Sequence, residues 1–332
     1  MDRGLPDDRT VTTAIDLATR APSVHNTQPW RWRIGDRSVH LYADLERQVS
    51  ATDPDQRDLV MSCGAALHHV RVAFAALGWS TTVDRLPNPD EPDHLASLKL
   101  TDHTPSPQDL ELSVAISRRR TDRRRYSTWE VPPAYLRQLV DRAAETGVVV
   151  RQVPDGGPRT KLIAALDEAA RRHAADPEYR REISIWSGRH GSLDGVPAHS
   201  TVVPDDGDEI PARAFAAGQL AQPPGAGPED AATLLALGTS SDDRMSWLRA
   251  GEAMSAMSLT ATSLGLATCP ITEPLEMRDL RTLVRRDVLG DSGFPQLVLR
   301  VGWALPRAET LPATPRRPVE EVIGRLDPTA AG

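Results

Sequence analysis

Two stretches of this chain are related to each other, and that relation limits what it can fold into more than any other feature. From about Gln56 to Leu77, the apolar residues Leu67, Val70, Phe74 and Leu77 recur at helical spacing, and the run stops at Gly78. Shifted by 187 positions, Gly64, Ala66, Leu77 and Gly78 fall on Gly251, Ala253, Leu264 and Gly265. The apolar stripe falls on Met254, Met257, Ala261 and Leu264. Amphipathic helices resemble one another, so four identities also fit coincidence. Read as a duplication, they predict two copies of an α+β unit whose long helices pack together at a pseudo-two-fold axis.

A chain of 332 residues buries roughly three quarters of its unfolded surface, enough for a large core in two halves. The net charge of −7 argues against a nucleic-acid footprint, which phosphate backbones would make basic. Lys99 and Lys161 are the only lysines, so nearly all positive charge is arginine. Cys63 and Cys269 form no CxxC pair, which makes a disulfide framework or zinc ribbon a poor fit. No uninterrupted apolar run reaches bilayer length, and the polar stretch Met1 to Arg9 is unlike a secretory signal, so a cytoplasmic location is expected.

Along the chain, Asp8 or Thr10 is placed to cap a helix with the stripe Val11, Ala14, Ile15 and Ala18, ending at Ala21-Pro22. Trp30 to Ile34 and Val39 to Tyr42 read as a hairpin, and Ser97 to Leu100 as a short strand. After a proline-rich stretch come an arginine cluster, a helix near Pro133 to Glu145, a strand at Val148 to Val150, and helices through about Trp186. Residues 191–227 are rich in Pro, Gly, Ala and Asp and lack periodicity, the pattern of a lid, a binding loop or disorder. The second long helix runs from about Asp242 to Leu264, and Gln296 to Val301 reads as a core strand. The halves then divide as 1–112 and 113–332.

Four segments carry chemistry. Ala21-Pro22-Ser23-Val24-His25-Asn26-Thr27-Gln28-Pro29-Trp30 packs a hydroxyl, two side-chain amides and an indole into one turn. Such groups suit the edge of a planar heteroaromatic ring, although Ser23 and Asn26 equally satisfy turn backbone. Arg118 to Arg125 holds six arginines in eight residues. Guanidinium forks suit phosphate, but six exceed the need of one phosphomonoester, so some are solvated or paired with acids such as Asp122 and Glu130. Gly265 to Pro274 reads by itself as a helix stop followed by a rigid turn, and Arg316-Arg317 as an exposed basic pair. There is no GxGxxG, Walker loop, HExxH or GxSxG. His68-His69 point in different directions on their helix and read as core or boundary residues, and the two cysteines as buried small hydrophobes.

Taken together, APSVHNTQPWRW, RRRTDRR, IWSGR and GLATCPITEPLE, in that order from Thr10 to about Pro318, resemble the nitroreductase superfamily, and more closely its actinobacterial Acg-type branch. Ordinary members are homodimers with two FMN sites at the subunit interface. The resemblance implies an α+β fold of two tandem halves forming an internal pseudo-dimer around paired long helices, with a lid insertion. It implies one FMN per chain, and NAD(P)H as electron donor. Pro22, Ser23, Asn26, Gln28 and Trp30 would hold or flank the ring, Thr272 and Glu273 would lie along it, and Arg119, Arg120, Arg123, Arg316 and Arg317 would neutralise the phosphate. Many relatives carry a glycine in the turn facing the flavin; here Glu273-Pro274 stands there, and proline cannot donate an N–H. The register leaves either Thr272 or Glu273 to supply the donor. No catalytic residue and no metal ligand is implied. The expected activity is hydride transfer from NAD(P)H through flavin to a nitroaromatic or quinone-like acceptor; the alternative is a flavin-storing protein under a closed lid. Small molecules are the only expected partners, without nucleic acid or membrane, and the expected state is a monomer.

Overall fold

Asp7 accepts the Thr10 amide at 2.7 Å and so caps α1 (Asp8–Thr19), one residue before the earlier of the two expected caps. The cap lies in a computed structural model that describes residues 6–188, 191–203, 208–223 and 230–326. The stripe of α1 is buried as its spacing predicts. After the turn come β1 (Trp30–Ile34) and β2 (Ser38–Ala43), then α2 (Arg57–Ala76), β3 (Trp79–Arg85), β4 (His94–Asp102) and α3 (Pro107–Arg118). The chain then runs through α4 (Pro133–Ala144), β5 (Val149–Gln152), α5 (Gly157–Ala175) and α6 (Pro177–Ile185). It continues through β6 (Thr233–Thr239), α7 (Arg244–Ser263), β7 (Ala267–Ile271), α8 (Arg278–Asp287) and β8 (Phe294–Gly302), and ends in α9 (Val319–Val322) and β9 (Ile323–Arg325).

The strands form two sheets, ordered β3-β4-β2-β1-β9 and β5-β6-β8-β7. All neighbours are antiparallel except β9, which returns from the second half and pairs parallel with β1 through Trp32 and Ile323. The fold is therefore mixed α+β. Several elements escaped the sequence reading. β3 has one exposed and one half-buried face, and only Trp79 and Val83 on the latter are apolar. β7 contains Pro270, and its stretch reads by itself as a plain turn. α3, β6, α8 and β9 were also unassigned.

The long helices span 57–76 and 244–263, so their bounds differ by the same 187 positions as the repeat. They cross at very close range. A Cβ on Gly64 would stand 2.1 Å from Leu248 O, and one on Gly251 would stand 1.9 Å from Met61 O. Each glycine thus faces the carbonyl three residues before its counterpart, the reciprocity expected of a two-fold contact. Glycine at both places lets the backbones approach where any side chain would hold them apart. α2 is long and apolar enough to cross a membrane, but 78% of its apolar window is buried inside the fold, as suits a central core helix.

Candidate functional site

The turn before β1 is bent by residues that seldom bend. His25, Asn26 and Gln28 have φ of 45°, 55° and 54°, a left-handed conformation that costs a side-chain-bearing residue of order 1–3 kcal/mol. Its surroundings hold it in place. Ser23 Oγ accepts the Gln28 amide at 3.0 Å, and the Val24 amide donates to Ser62 Oγ on α2 at 3.0 Å. Asn26 Nδ2 donates to Gly195 O at 3.0 Å and Pro315 O at 3.2 Å. Gln28 Nε2 donates to Leu193 O at 2.9 Å, while its Oε1 accepts the Arg317 amide at 2.9 Å. Asn26 and Gln28 therefore tie the turn to two distant loops. Trp30 is wholly buried in the core.

Beside this turn lies a cavity of about 1000 Å³, part of it open to solvent. Pro22, Ser23 and His25 form one wall, Ser62 of α2 and Met254 of α7 another, and Thr121 and Arg123 a third. Pro270 to Glu273, directly after α7 and β7, close the next side. Ile210 to Arg213 and Phe215 come in from the stretch expected to be a lid. Residues 204–207 and 224–229 of that stretch, and Arg189 of the IWSGR segment, lie outside the described residues. Of the expected site residues, Pro22, Ser23, Arg123, Thr272 and Glu273 line the cavity; Asn26, Gln28, Trp30, Arg119, Arg120, Arg316 and Arg317 do not. His25, Ser62, Arg213, Phe215 and Met254 went unpredicted, because nothing local in the sequence distinguishes them from turn, helix or loop residues.

The cavity has a charged flank. Glu273 Oε1 is 3.0 Å from His173 Nδ1, and His173 stacks on Tyr179 with centroids 3.8 Å apart. Arg213 binds the Glu276 carboxylate and donates to Tyr179 Oη at 3.1 Å. Burial pushes Glu276 up to about 8, with Arg213 pulling the other way. Burial would raise Glu273 too, but Arg213 and His173 outweigh it and hold its carboxyl below the ordinary value. Burial, reinforced by Arg213 and Arg123, pushes His25 well below its usual value, so it is neutral.

The arginine cluster separates into two kinds. Arg124 pairs with Asp122 at 2.7 Å and Arg125 with Asp208, so these two are structural. Among the described residues Glu130 pairs with no arginine; its carbonyl receives Trp303 Nε1 at 3.3 Å. Arg119, Arg120, Arg123 and Arg316 have no carboxylate partner among the described residues. They lean on carbonyls instead: Arg120 on Leu311 O and Pro312 O, both at 3.1 Å, and Arg316 on Thr19 O at 2.7 Å and Ala21 O at 3.2 Å. Arg123 donates to Ser200 O at 3.0 Å, and Arg119 Nε has no partner. Burial, with the charges of Arg120 and Arg123, lowers Arg119 to about 10. Burial, with Arg119, Arg20 and Arg120, lowers Arg316 to about 9. Buried cations close together disfavour one another's charge, a cost that a bound anion would relieve. Arg317 turns away to Glu321 at 3.2 Å and Asp44 at 3.8 Å, so the Arg316-Arg317 pair is split.

At the repeat-related place the chemistry differs. Position 272 less 187 is 85, so Arg85 is the counterpart of Thr272 in the sequence offset. Arg85 donates to the fully buried Glu252 at 2.7 and 2.9 Å, and Arg71 joins at 3.1 Å.

The family model described as "Nitroreductase family" matches residues 116–303. A Mycobacterium tuberculosis protein provisionally named an NAD(P)H nitroreductase is 50% identical over 324 residues, 97% of this chain and 93% of its own. A second from the same organism, likewise provisionally named and designated acg, is 37% identical over 334 residues, 96% of this chain and 98% of its own. Among solved structures, the FMN- and NADPH-dependent nitroreductase NfnB of a Sphingopyxis strain superposes with a TM-score of 0.41 at 20% identity, covering 65% of this chain and 99% of that one. On the family match and the two curated relatives, this chain belongs to the nitroreductase family.

Proposed function

We propose that this protein is an FMN-dependent NAD(P)H oxidoreductase with one flavin site per chain, built from both halves around the α2–α7 pair. The observation that carries this reading is the set of arginines without carboxylates among the described residues, Arg119, Arg120 and Arg316, next to a cavity walled partly by Arg123. These guanidiniums would hold the phosphate of FMN. Ser23 and the amides of Thr272 and Glu273 would meet the ring, while Pro274 offers no N–H. Asn26 and Gln28 would act one step back, fixing the strained turn that presents Ser23 and His25. When bound, FMN supplies the capacity to accept hydride from NAD(P)H and pass it to an electron-poor acceptor such as a nitroaromatic or quinone. The chain's own part is to position, to exclude water, and to set the field with Arg123 and Arg213. The one Pro-Ser-x-x-Asn turn, Pro22 to Asn26, and the one arginine cluster, Arg118 to Arg125, support a single site. With the pairing of long helices internal, a monomer is expected.

The cover formed by Ile210 to Phe215 favours a second reading, storage of FMN with little turnover. Arg213 pins that cover to Glu276 and Tyr179. Stopped-flow mixing of the flavin-loaded protein with NADPH separates the readings. The oxidoreductase predicts rapid bleaching at 450 nm that saturates with NADPH. Bleaching slower than minutes at saturating NADPH would contradict turnover and favour storage.

A further inference from the structure

The arginines are not the only buried groups near this cluster without a partner. His69 of α2 is fully buried, with Nδ1 3.0 Å from Ala65 O and 2.8 Å from Ser255 Oγ of α7. A carbonyl oxygen only accepts, so the Ala65 contact places the proton on Nδ1. Ser255 can accept from the same N–H and give its own proton to His68 Nδ1, 2.8 Å away. His69 Nε2 is then a bare lone pair in the interior, and it has no partner. Burying such a group unmatched costs about 1–3 kcal/mol.

Packing brings this part of α2 beside the helix that leads into the arginines. Val72, one turn beyond His69, packs with Ala115 and Ile116 of α3 and Leu259 of α7. Arg119 follows Ala115 by one turn, its amide bonded to Ala115 O at 2.8 Å, and its Nε is the second orphaned atom. Ser255 of α7, uncharged, touches His69, and the charged or titratable groups whose fields reach it are His68 on its own helix, Arg119 at the end of α3, and Arg316 from the C-terminal segment. None is acidic, and Glu252 of α7 is already committed to Arg71 and Arg85. Burial and these cations push the His69 imidazole well below its ordinary value, so it is neutral before an anion arrives.

We infer that His69 is a further ligand of the anion site: as a phosphomonoester dianion enters, Nε2 takes one proton from solvent and donates it to a phosphate oxygen as a hydrogen bond. One N–H bond forms, and nothing on the ligand breaks. This rests on the reading that the arginines hold the phosphate. The sign follows from linkage. The anion raises the imidazole above its free value, so affinity is greatest at pH below the raised value and falls as pH climbs through it. One proton gives at most about a tenfold fall per pH unit. The second ionisation of phosphate, near pH ~6, acts in the opposite sense but is common to every variant.

His69→Asn tests this, because its amide nitrogen can replace Nδ1 against Ala65 O and Ser255 while Nε2 is deleted. FMN and riboflavin are titrated by flavin fluorescence from pH 6 to 9, and calorimetry in buffers of different ionisation enthalpy counts protons. Wild type should take up close to one proton with FMN over part of that range and lose affinity as pH rises. It should show neither effect with riboflavin, which has no phosphate. His69→Asn should keep riboflavin affinity and lose both the proton uptake and the pH slope. Equal uptake and slope in the two proteins would overturn the assignment. Imidazole ¹⁵N spectra of wild type need no variant: Nε2 should change from bare to protonated on adding FMN, and a bare Nε2 in the complex overturns the proposal. Should FMN not bind at all, the reading beneath has failed, and the same spectra with inorganic phosphate decide for or against His69 alone.

Discussion

Replacing Arg119 and Arg316 together by alanine should weaken FMN binding by at least about 100-fold while leaving riboflavin within about threefold. Charge-assisted hydrogen bonds contribute about 1.5–3 kcal/mol each, and two lost from one phosphate exceed the roughly 2.7 kcal/mol that a hundredfold change requires. The loss should be confined to the phosphate because neither side chain lines the cavity wall, whereas Ser23, Arg123 and Thr272 do. Fluorescence titration of both flavins with one protein preparation gives the comparison. Unchanged FMN affinity would refute the phosphate assignment. An equal loss for riboflavin would place these arginines at the ring or in the general integrity of the fold.

Gly251→Ala should be the most damaging single substitution to stability. The new Cβ would meet Met61 O at 1.9 Å, Met61 C at 2.7 Å and Met61 Cα at 2.9 Å, all backbone, so no rotamer change relieves it. The two 20-residue helices would have to separate along the centre of the core. A cost above ~4 kcal/mol is expected, a large fraction of the 5–15 kcal/mol that typically holds a domain together. Thermal unfolding should shift down by about 10 °C or more, or the protein should fail to express in soluble form. Gly157→Ala is the control, since nothing lies within 4 Å of a Cβ there. A Gly251→Ala protein with wild-type Tm would contradict the close helix crossing.

The repeat was legible because its cause is local and symmetric: glycine is required at 64 and at 251 by the same backbone contact, and the helices that carry them start and stop in register. The strands after them were not. β3 has only Trp79 and Val83 as apolar residues and β7 contains a proline, so their pairing is decided by β4 and β8 rather than by their own pattern. The arginines show the same limit. Six charges in eight residues announce an anion site, but which of them are free depends on Asp122 alongside and on Asp208 about eighty residues away. Arg316 and Arg317 are adjacent in sequence and opposite in role, because Glu321 and Asp44 claim only the second. Asn26 and Gln28 read as ligands to a ring edge, yet their amides bind loops at 193–195 and 315–317 that no local pattern could indicate. Cys63 and Cys269 are buried free thiols, as their spacing suggested. Cys269 also lines the cavity, a placement that came only with β7.

The visible absorbance spectrum of the freshly purified protein, recorded before and after adding FMN and again with NADPH, tests the central claim most directly. The account predicts a flavin spectrum that saturates at one equivalent per chain and bleaches with NADPH. A colourless protein that takes up no added FMN, or one that saturates at two equivalents per chain, would contradict it.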